Sequence, residues 1–387
     1  MTKLFIFTLL ALFSFNTATA SSNYKDTGFN EYKKQQKDSF KNYRKQISAE
    51  YSSYKMEISK TWKRPILSSQ KNWVSYSNDS QSRSNVDFKN SSYTIEVIAD
   101  NLKEARRKMK ERISYIAIKD TKQVIKTDPL QKRIQKIRTD NKIANINQIK
   151  ARPILTTLVF DKPPTRKDLK KYVNKVVQNN KIIVKQSKIP NTKVYKLKVK
   201  LPSNSKIRLS RIYKDDVIKN YKKFKLNQEL LFSIMQTESD FNPFAKSHIP
   251  AYGLMQIVPR SAGRDVYNFL YHKDLKPSST YLYDSSNNIE MGSAYLHILY
   301  YKYLKKIKDP QSRLYCTIAA YNTGAGNIAW AFTRTHNMNK AAPIINKMSS
   351  DEVYRHLMNN LKYDEPKHYL KRVTKRMPGY KKLYSNI

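Results

Sequence analysis

One carboxylate in the middle of the chain lies where it could act in chemistry. Glu238 follows an apolar run in which Leu230, Leu231, Ile234 and Met235 recur at helical spacing, so it falls on the apolar stripe near the end of a predicted helix. An apolar setting disfavours the charged form of a carboxyl group, and the pKa of Glu238 is therefore expected to rise, as a general acid requires. By position alone, a buried glutamate paired with a lysine is the more common explanation.

The sequence places no second acid and no metal ligands beside Glu238. Asp240 is two residues further on, and side chains with that spacing point apart on a helix. Asp265 follows a loop and a proline; it could approach, but nothing in the sequence requires it. The 6 histidines lack the spacing of metal ligands, and Cys316 is interpreted as a small core residue. The sequence therefore predicts neither a metal site nor a cofactor.

The segment that follows Glu238 combines polar side chains with a glycine. Ser247 is close enough across a loop to hydrogen-bond a carboxyl group. Gly253, in the stretch AYGLMQIVP, marks a place where the backbone must turn or approach another group closely. Gln256 offers donors and an acceptor to the amide or hydroxyl groups of a ligand. Together with Glu238, these residues are candidates for one site.

The C-terminal part holds further candidates. The stretch TIAAYNTGAGNI (317–328) has helical spacing as far as Tyr321, and Gly324 and Gly326 are predicted to stop that helix. Tyr321 and Asn322 would then lie at the helix end. Tyr369, in PKHYLKRV, adds an aromatic ring with a polar tip. For the aromatic side chains, packing in the core is the alternative.

Taken in order, these residues resemble the four signatures of the family 1 lytic murein transglycosylases. Glu238-Ser239 matches the catalytic Glu-Ser, residues 253–256 match Gly-Leu-Met-Gln, residues 320–322 match Ala-Tyr-Asn, and Tyr369 matches the late tyrosine. The resemblance covers about residues 210 to 380. It implies a catalytic domain with a goose-type lysozyme-like helical fold.

The resemblance also implies a role for each matching residue. Glu238 would be the single catalytic acid and base, oriented by Ser247 and Tyr369. The remaining matched positions would bind the substrate: Ser239, Gly253, Met255, Gln256, Tyr321 and Asn322. The implied reaction cleaves the β-1,4 bond between N-acetylmuramic acid and N-acetylglucosamine in peptidoglycan glycan strands, and it leaves a 1,6-anhydromuramoyl end.

Two other functions stay open on the same residues. A lysozyme of this fold would hydrolyse the bond, but hydrolysis usually employs a second carboxylate, which the sequence does not place. A catalytically silent protein could bind peptidoglycan or the envelope without cleaving it. Such a protein would have no need of Glu238 with all of its supporting motifs.

The charge of the chain indicates an anionic partner. Lys and Arg number 74 and Asp and Glu 30, which gives a formal net charge of +44. Such a surface attracts nucleic acid, anionic lipid or an acidic glycan. Nucleic acid is the weakest of these because the N-terminus reads as an export signal.

The export signal occupies the first twenty or so positions. Lys3 precedes a short apolar run, and Ala18-Thr19-Ala20 forms a small-x-small cleavage site, which predicts a signal peptide over residues 1–20. An uncleaved anchor is the alternative. No cysteine lies near the cleavage point to carry a lipid. We expect a periplasmic protein, with peripheral attachment to the outer membrane as an open alternative.

The stretch 73–99 is similar to the N-terminal domain of a membrane-bound, lipid-anchored member of the same family. Two departures from the family pattern stand out. The lipid-bearing cysteine is missing, which concerns membrane attachment. Thr323 follows Ala-Tyr-Asn where the family commonly has glycine, which concerns loop geometry more than chemistry.

The first half is predicted to contain both helices and strands. Residues 29–58 carry an apolar 3-4-4 repeat with lysines on the other faces, which predicts one long basic amphipathic helix. It would pack on its own domain or lie on an anionic membrane surface. Alternation of apolar and polar residues predicts strands over residues 72–76, 84–88, 92–98 and 193–201. Apolar residues at the 3.6-residue spacing of a helix predict one more helix over residues 100–118. Residues 121–150 receive no assignment.

The breaker cluster Leu201-Pro202-Ser203-Asn204-Ser205 marks the predicted domain boundary. Residues 21–202 are predicted to form an α+β domain, and residues 203–387 a mainly α-helical catalytic domain. Because all the matching motifs lie beyond the boundary, the second part is expected to fold and act alone.

Overall fold

A computed structural model describes residues 25–137, 143–144, 149–247 and 250–385 of the protein. The chain divides into two compact units, which are considered separately. The first unit contains Gly28–Val217 and Glu238–Glu290, and the second contains Met1–Thr27, Ile218–Thr237 and Met291–Ile387. The predicted signal peptide lies outside the described residues, and the boundary near residue 202 stays a prediction.

The first unit is built on an antiparallel sheet. Its strands are β1 (Asn72–Tyr76), β2 (Ser82–Asp87), β3 (Ser92–Ala99), β5 (Ile182–Gln186) and β6 (Lys193–Lys200), while β4 (Ile143–Ala144) and β7 (Lys276–Pro277) form a short parallel pair. The order in the sheet is β1-β2-β3-β6-β5, and every neighbouring pair is antiparallel.

The helices follow the same division. Those of the first unit are α1 (Lys25–Ser59), α2 (Leu102–Ile118), α3 (Thr121–Thr127), α4 (Pro129–Gln135), α5 (Thr156–Val159), α6 (Arg166–Asn179), α7 (Ser205–Ile212), α10 (Arg264–Tyr271) and α11 (Ser279–Tyr283), with a π-helical turn at Pro259–Gly263. Besides α1, whose residues 25–27 belong to the second unit, three helices contribute residues to both units: α8 (Lys214–Phe224), α9 (Gln228–Ser239) and α12 (Ser285–Ile298). The second unit holds α13 (Pro310–Thr323), α14 (Ala325–Thr333), α15 (Met338–Ile345), α16 (Ser350–Asn360) and α17 (Asp364–Leu383), with a π-helical turn at Leu299–Tyr303.

The strands predicted from alternation are present, with small shifts at their ends. β2 begins at Ser82 rather than at residue 84, because Ser82 already pairs with Val97 of β3. The sequence missed β5, whose Ile183 and Val184 are 47% and 50% exposed. An edge strand without a buried face shows no alternation to detect.

The long helix predicted over residues 29–58 is confirmed as α1. Ile47, Tyr54 and Ile58 are buried and pack in a cluster with Trp62, Ile98, Leu130 and Ile134. For this part of α1, the structure shows a helix that packs on its own unit. Other residues of α1 are basic and exposed, and the interaction of this helix with an anionic surface stays a prediction.

Residues 121–150 contain two short helices that the sequence left unassigned. Asp120 forms a capping box with Gln123 at the start of α3, and Asp128 caps α4, whose first residue is Pro129. Each helix has 7 residues, too few for a clear 3.6 period. Residues 138–142 and 145–148 lie outside the described part.

The second unit is helical, with α13 at its core. Cys316, Ile318 and Ala320 of α13 are fully buried, and α13 packs against α14, α16 and α17. Gly324, with φ 87°, ends α13 as predicted. The predicted stop at Gly326 is wrong, because α14 begins at Ala325 and Gly326 lies inside it.

The fold class predicted from the sequence, an α+β part followed by a mainly helical part, is confirmed. None of the described helices is both long enough and apolar enough to span a bilayer.

Candidate catalytic site

Glu238 lies in the last turn of α9. Leu230, Leu231, Ile234 and Met235 are buried, as their spacing predicts, and Glu238 is half-buried at the end of the same stripe. The helix ends at Ser239 because the next two residues are left-handed, with φ 52° and 66°. The carboxyl group therefore sits at a sharply terminated helix end.

Ser239 ties this helix end to the loop that carries the Gly-Leu-Met-Gln motif. Its Oγ donates a hydrogen bond to the carbonyl of Leu254 (2.9 Å) and accepts one from the N–H of Phe241 (3.1 Å). The side chain is fully buried. Both bonds stay within the protein, so the hydroxyl fixes the loop against the end of α9.

Two hydrogen bonds to the same backbone carbonyl close the loop that carries the Gly-Leu-Met-Gln motif. The oxygen of Ala245 accepts from the N–H of Gly253 (2.9 Å) and from Nε2 of Gln256 (3.1 Å), which also donates to the carbonyl of Gly253 (3.0 Å). Oε1 of Gln256 is buried and has no hydrogen-bond partner among the described residues. The donor end of Gln256 thus holds the loop, while its acceptor end is left for another group.

Gly253 is required at its position for two reasons. Its φ is +77°, and a Cβ there would lie 2.4 Å from Nδ2 of Asn288 and 2.5 Å from the carbonyl oxygen of Leu282. The close approach predicted from the sequence is therefore present. Asn288 itself was missed: its side chain accepts from the N–H of Met255 (2.8 Å) and donates to the carbonyl of Tyr252 (2.8 Å). An asparagine within a helix gives no signal of such a role.

Ser247 lies in the same loop. Its N–H donates to the carbonyl of Ala251 (3.2 Å), and its Oγ accepts from the N–H of Ala251 (3.3 Å). The orienting role of Ser247 toward Glu238 stays a prediction. The side chain of Met255 is fully buried, and its part in shaping a groove also stays a prediction.

The two aspartates considered as a second acid differ in their electrostatics. Asp240 is paired with Lys71 (3.1 Å) and Lys206 (2.8 Å). Burial pushes the pKa of Asp240 upward, but these two ammonium groups outweigh it and hold that pKa below its ordinary value. Burial raises the pKa of Asp265 to about 6, against the opposing charge of Arg264. Asp240 is thus held in an ion pair, whereas burial shifts the pKa of Asp265 toward neutrality.

The remaining candidates lie in the second unit. The ring of Tyr321 packs against Tyr295, with 5.5 Å between the ring centres. Asn322, in the last turn of α13, has a buried Oδ1 without a partner among the described residues. Tyr369 is 1% exposed on α17, which packs against α13. The fold thus brings the elements of these three residues together.

The described ranges contain no group of three or more His, Cys, Asp or Glu side chains placed to hold a metal ion. Glu238, Ser239, Ser247, Gly253, Met255 and Gln256 follow one another in one segment of the first unit. Tyr321, Asn322 and Tyr369 belong to the second.

Comparison with known proteins identifies the family. The model of the transglycosylase SLT domain matches residues 215–344. The chain is similar to membrane-bound lytic murein transglycosylase C of Serratia proteamaculans (strain 568), with 33% identity over 321 residues, 82% of this chain and 84% of that protein. The protein of the same name from Sodalis glossinidius is 40% identical over 189 residues, 49% of this chain and 52% of its own length.

Among solved structures, an inactive mutant of lytic transglycosylase Slt from Pseudomonas aeruginosa matches 46% of this chain and 25% of its own, with 22% identity and a TM-score of 0.36. The long alignment with the Serratia protein decides the assignment. The chain belongs to the lytic murein transglycosylase family, and the resemblance seen in its motifs is confirmed.

Proposed function

We propose that the protein is a peptidoglycan lytic transglycosylase in which Glu238 is the single acid and base. The observation that carries this proposal is the position of Glu238 at a helix end that Ser239 ties to the Gly253–Gln256 loop. The names of the relatives support the substrate, the glycan strands of peptidoglycan. The protein would act in the periplasm, consistent with the export signal read in its sequence.

The reaction uses one carboxyl group, first in its protonated form and then as a carboxylate. Protonated Glu238 donates its proton to the leaving glycosidic oxygen, and the bond from that oxygen to the anomeric carbon of N-acetylmuramic acid breaks. The neighbouring N-acetyl group stabilises the positive charge on that carbon. Glu238, now a carboxylate, takes the proton of the 6-hydroxyl of the same sugar, and O6 bonds to the anomeric carbon. The attack is intramolecular and gains from a high effective molarity.

Two buried amide oxygens, one in each unit, are each suited to accept a hydrogen bond from the glycan. Within its own unit, each of Gln256 Oε1 and Asn322 Oδ1 is buried without a partner among the described residues. A buried acceptor that is left unpaired destabilises the fold, whereas a hydroxyl or N-acetyl N–H of the glycan would satisfy it. Ser247 and Tyr369 would orient Glu238, and Ser239 would act by holding the loop.

A lysozyme reaction on the same fold is the second candidate, and Asp265 is the observation that favours it. A carboxyl group with a pKa of about 6 could activate water in a hydrolytic mechanism. Asp240 is a poorer candidate for that role because two lysines hold it. A silent peptidoglycan-binding protein is the third, and nothing in the site favours it over an enzyme.

Product analysis separates the three. Purified peptidoglycan is digested with the wild type, with Glu238→Gln and with Glu229→Gln, which makes the same change in the first turn of the same helix. We expect 1,6-anhydromuramoyl ends, one water lighter than hydrolytic ends, from the wild type and Glu229→Gln only. Reducing muramic acid ends would favour the lysozyme, and no cleavage by any protein would favour the silent binder.

A further inference from the structure

A small cavity of about 20 Å³ lies inside the first unit, next to the loop that follows α9. Residues of α1, of β1 and the segment leading into it, of α4 and of that loop line it. Its polar lining includes Ser68, Trp73, Asp128, Gln131 and Lys246. The volume is enough for one or two water molecules.

Three of these lining residues carry a buried polar atom without a partner. They are Lys246 Nζ, Trp73 Nε1 and Gln131 Oε1, and none has a hydrogen-bond partner among the described residues. The residues are 6%, 1% and 9% exposed. Buried polar groups are rarely left unpaired, because each one costs free energy unless a partner satisfies it. Because three residues that line one cavity each carry such an atom, the cavity is suited to a polar occupant.

Of the three side chains, Lys246 is the one whose burial without a partner is most unfavourable. Its Nζ lies 3.4 Å from the ring centre of Tyr51 and 5.7 Å from that of Tyr252, and within the described ranges it forms no ion pair. The other titratable side chains that line the cavity are Tyr54, Tyr76, Asp128 and Tyr283. The Asp128 carboxylate is engaged at the start of α4, where it accepts from the N–H of Gln131 (2.8 Å).

We propose that this cavity is a hydration site whose bound water completes the hydrogen bonding of Trp73, Gln131 and Lys246, and that Lys246 is held there as an uncharged amine. A water molecule can accept from the indole N–H and donate one hydrogen to Oε1 and the other to the lone pair of the amine. Three bonds are typical of a buried water. A halide could not donate to the Gln131 oxygen, so the donor and acceptor types favour water.

The charge state follows from the surroundings. Burial lowers the pKa of Lys246 to about 6.

The hydration site also bears on the loop that carries the proposed function, and this part of the inference rests on that function. Lys246 stands between Ala245, whose carbonyl closes the Gly253–Gln256 loop, and Ser247. The hydration site would therefore anchor the start of that loop to β1, through Trp73, and to α4, through Gln131.

A crystal structure of the mature chain, grown with bromide in place of chloride, tests the occupant. We expect a water peak within hydrogen-bond distance of Trp73 Nε1, Gln131 Oε1 and Lys246 Nζ, without anomalous signal. A bromide at that position, a dry cavity or a lysine that reaches solvent would each overturn the proposal. These readouts need no substrate, so they stand even if the proposed activity fails.

Stability against pH tests the charge state. Between the lowered pKa and the ordinary value near 10, the unfolded chain binds a proton that the folded chain does not, so Lys246 makes stability rise with pH. Over about pH 7 to 9 this one group contributes a rise of up to about tenfold per pH unit in the folding equilibrium constant. Lys246→Met should remove that contribution, whereas Lys55→Met, at an exposed position of α1, should retain it.

Equal slopes in the wild type and both variants would mean that Lys246 is charged when the protein is folded. If Lys246→Met does not fold, nitrogen NMR of the lysine side chains in the wild type decides. One amine that titrates near the lowered value supports the proposal. Titration of every lysine near its ordinary pKa refutes it.

Discussion

Glu238→Gln keeps the shape of the side chain but removes its transferable proton. General acid–base catalysis typically contributes about 10²–10⁴-fold, and the rate loss should reach or exceed the top of that range because one residue serves both steps. Folding should survive, since an amide replaces a carboxyl group expected to be largely neutral. The rate of release of soluble fragments from peptidoglycan measures the effect.

Two aspartates, Asp240 and Asp265, provide the controls for this prediction. Asp240→Asn and Asp265→Asn should slow the reaction far less than Glu238→Gln. Asp240→Asn should instead lower stability, because it leaves Lys71 and Lys206 without their shared partner. Full activity in the Glu238→Gln protein would end the catalytic assignment, and a strong dependence on Asp265 would point to hydrolysis.

At the scale of elements, the loop that carries Gly253 is fixed by sterics as well as by hydrogen bonds. Gly253→Ala would place a methyl group against the carbonyl oxygen of Leu282 in a backbone conformation that alanine disfavours. We expect a loss of about 2–4 kcal/mol in the free energy of unfolding, together with lower activity. Chemical unfolding monitored by circular dichroism measures the loss.

Gly379→Ala is the matched control, because that glycine lies in α17 with open space where its Cβ would be. It should raise stability by about 0.5–1 kcal/mol. If the two substitutions had the same effect, the crowding around Gly253 would not matter for the fold.

The basic faces of α1 predict an electrostatic contact with the envelope. Lys41, Arg44 and Lys45 are exposed, and charges of this kind are screened over a Debye length of about 8 Å at physiological salt. Replacing all three with glutamine should weaken binding to anionic vesicles and to isolated peptidoglycan sacculi at low salt. Co-sedimentation at low and high salt measures both effects.

A charge-matched control tests whether position matters. It removes three exposed lysines of the second unit, Lys305, Lys306 and Lys308. We expect this variant to bind more tightly than the α1 variant. Binding that does not change with salt would contradict the prediction, and α1 would then serve only to pack against its unit.

At the scale of the whole molecule, the structure changes what we expect of a fragment. The segment after Glu238 packs within the first unit: Asp240 pairs with Lys71, and Phe244 packs on Trp73 with 5.3 Å between the ring centres. A fragment of residues 203–387 loses these partners. It should unfold at a lower temperature than the mature chain and lose activity with its loop, contrary to the sequence-based expectation that it acts alone.

Thermal unfolding and digestion of peptidoglycan by residues 21–387 and 203–387, compared side by side, check this prediction. Equal unfolding temperatures and equal rates would show that the first half contributes nothing to the site. A fragment that is stable but inactive would assign the first half to positioning the loop rather than to folding.

Local elements and the order of the motifs could be predicted from the amino-acid sequence. The 3-4-4 period of α1 and the apolar run of α9 indicate which face of each helix is buried, because a buried helix face needs apolar residues at helical spacing. Glu238, Gly253 and Tyr369 could be named in advance because helix position, turn chemistry and family resemblance are all properties of local sequence. β5 and the short α3 and α4 were missed, since an exposed edge strand and a seven-residue helix impose no period.

Which side chains come into contact could be learned only from the folded chain. Nothing in the sequence pairs Asp240 with Lys71 and Lys206, places Asn288 against Gly253, or surrounds Lys246 with aromatic rings and no ion-pair partner within the described ranges. These contacts join residues far apart in the chain, and a periodic pattern specifies a buried face but not what covers it. The electrostatic difference between Asp240 and Asp265 likewise follows from burial and from distant partners, so it could be read only from the folded chain.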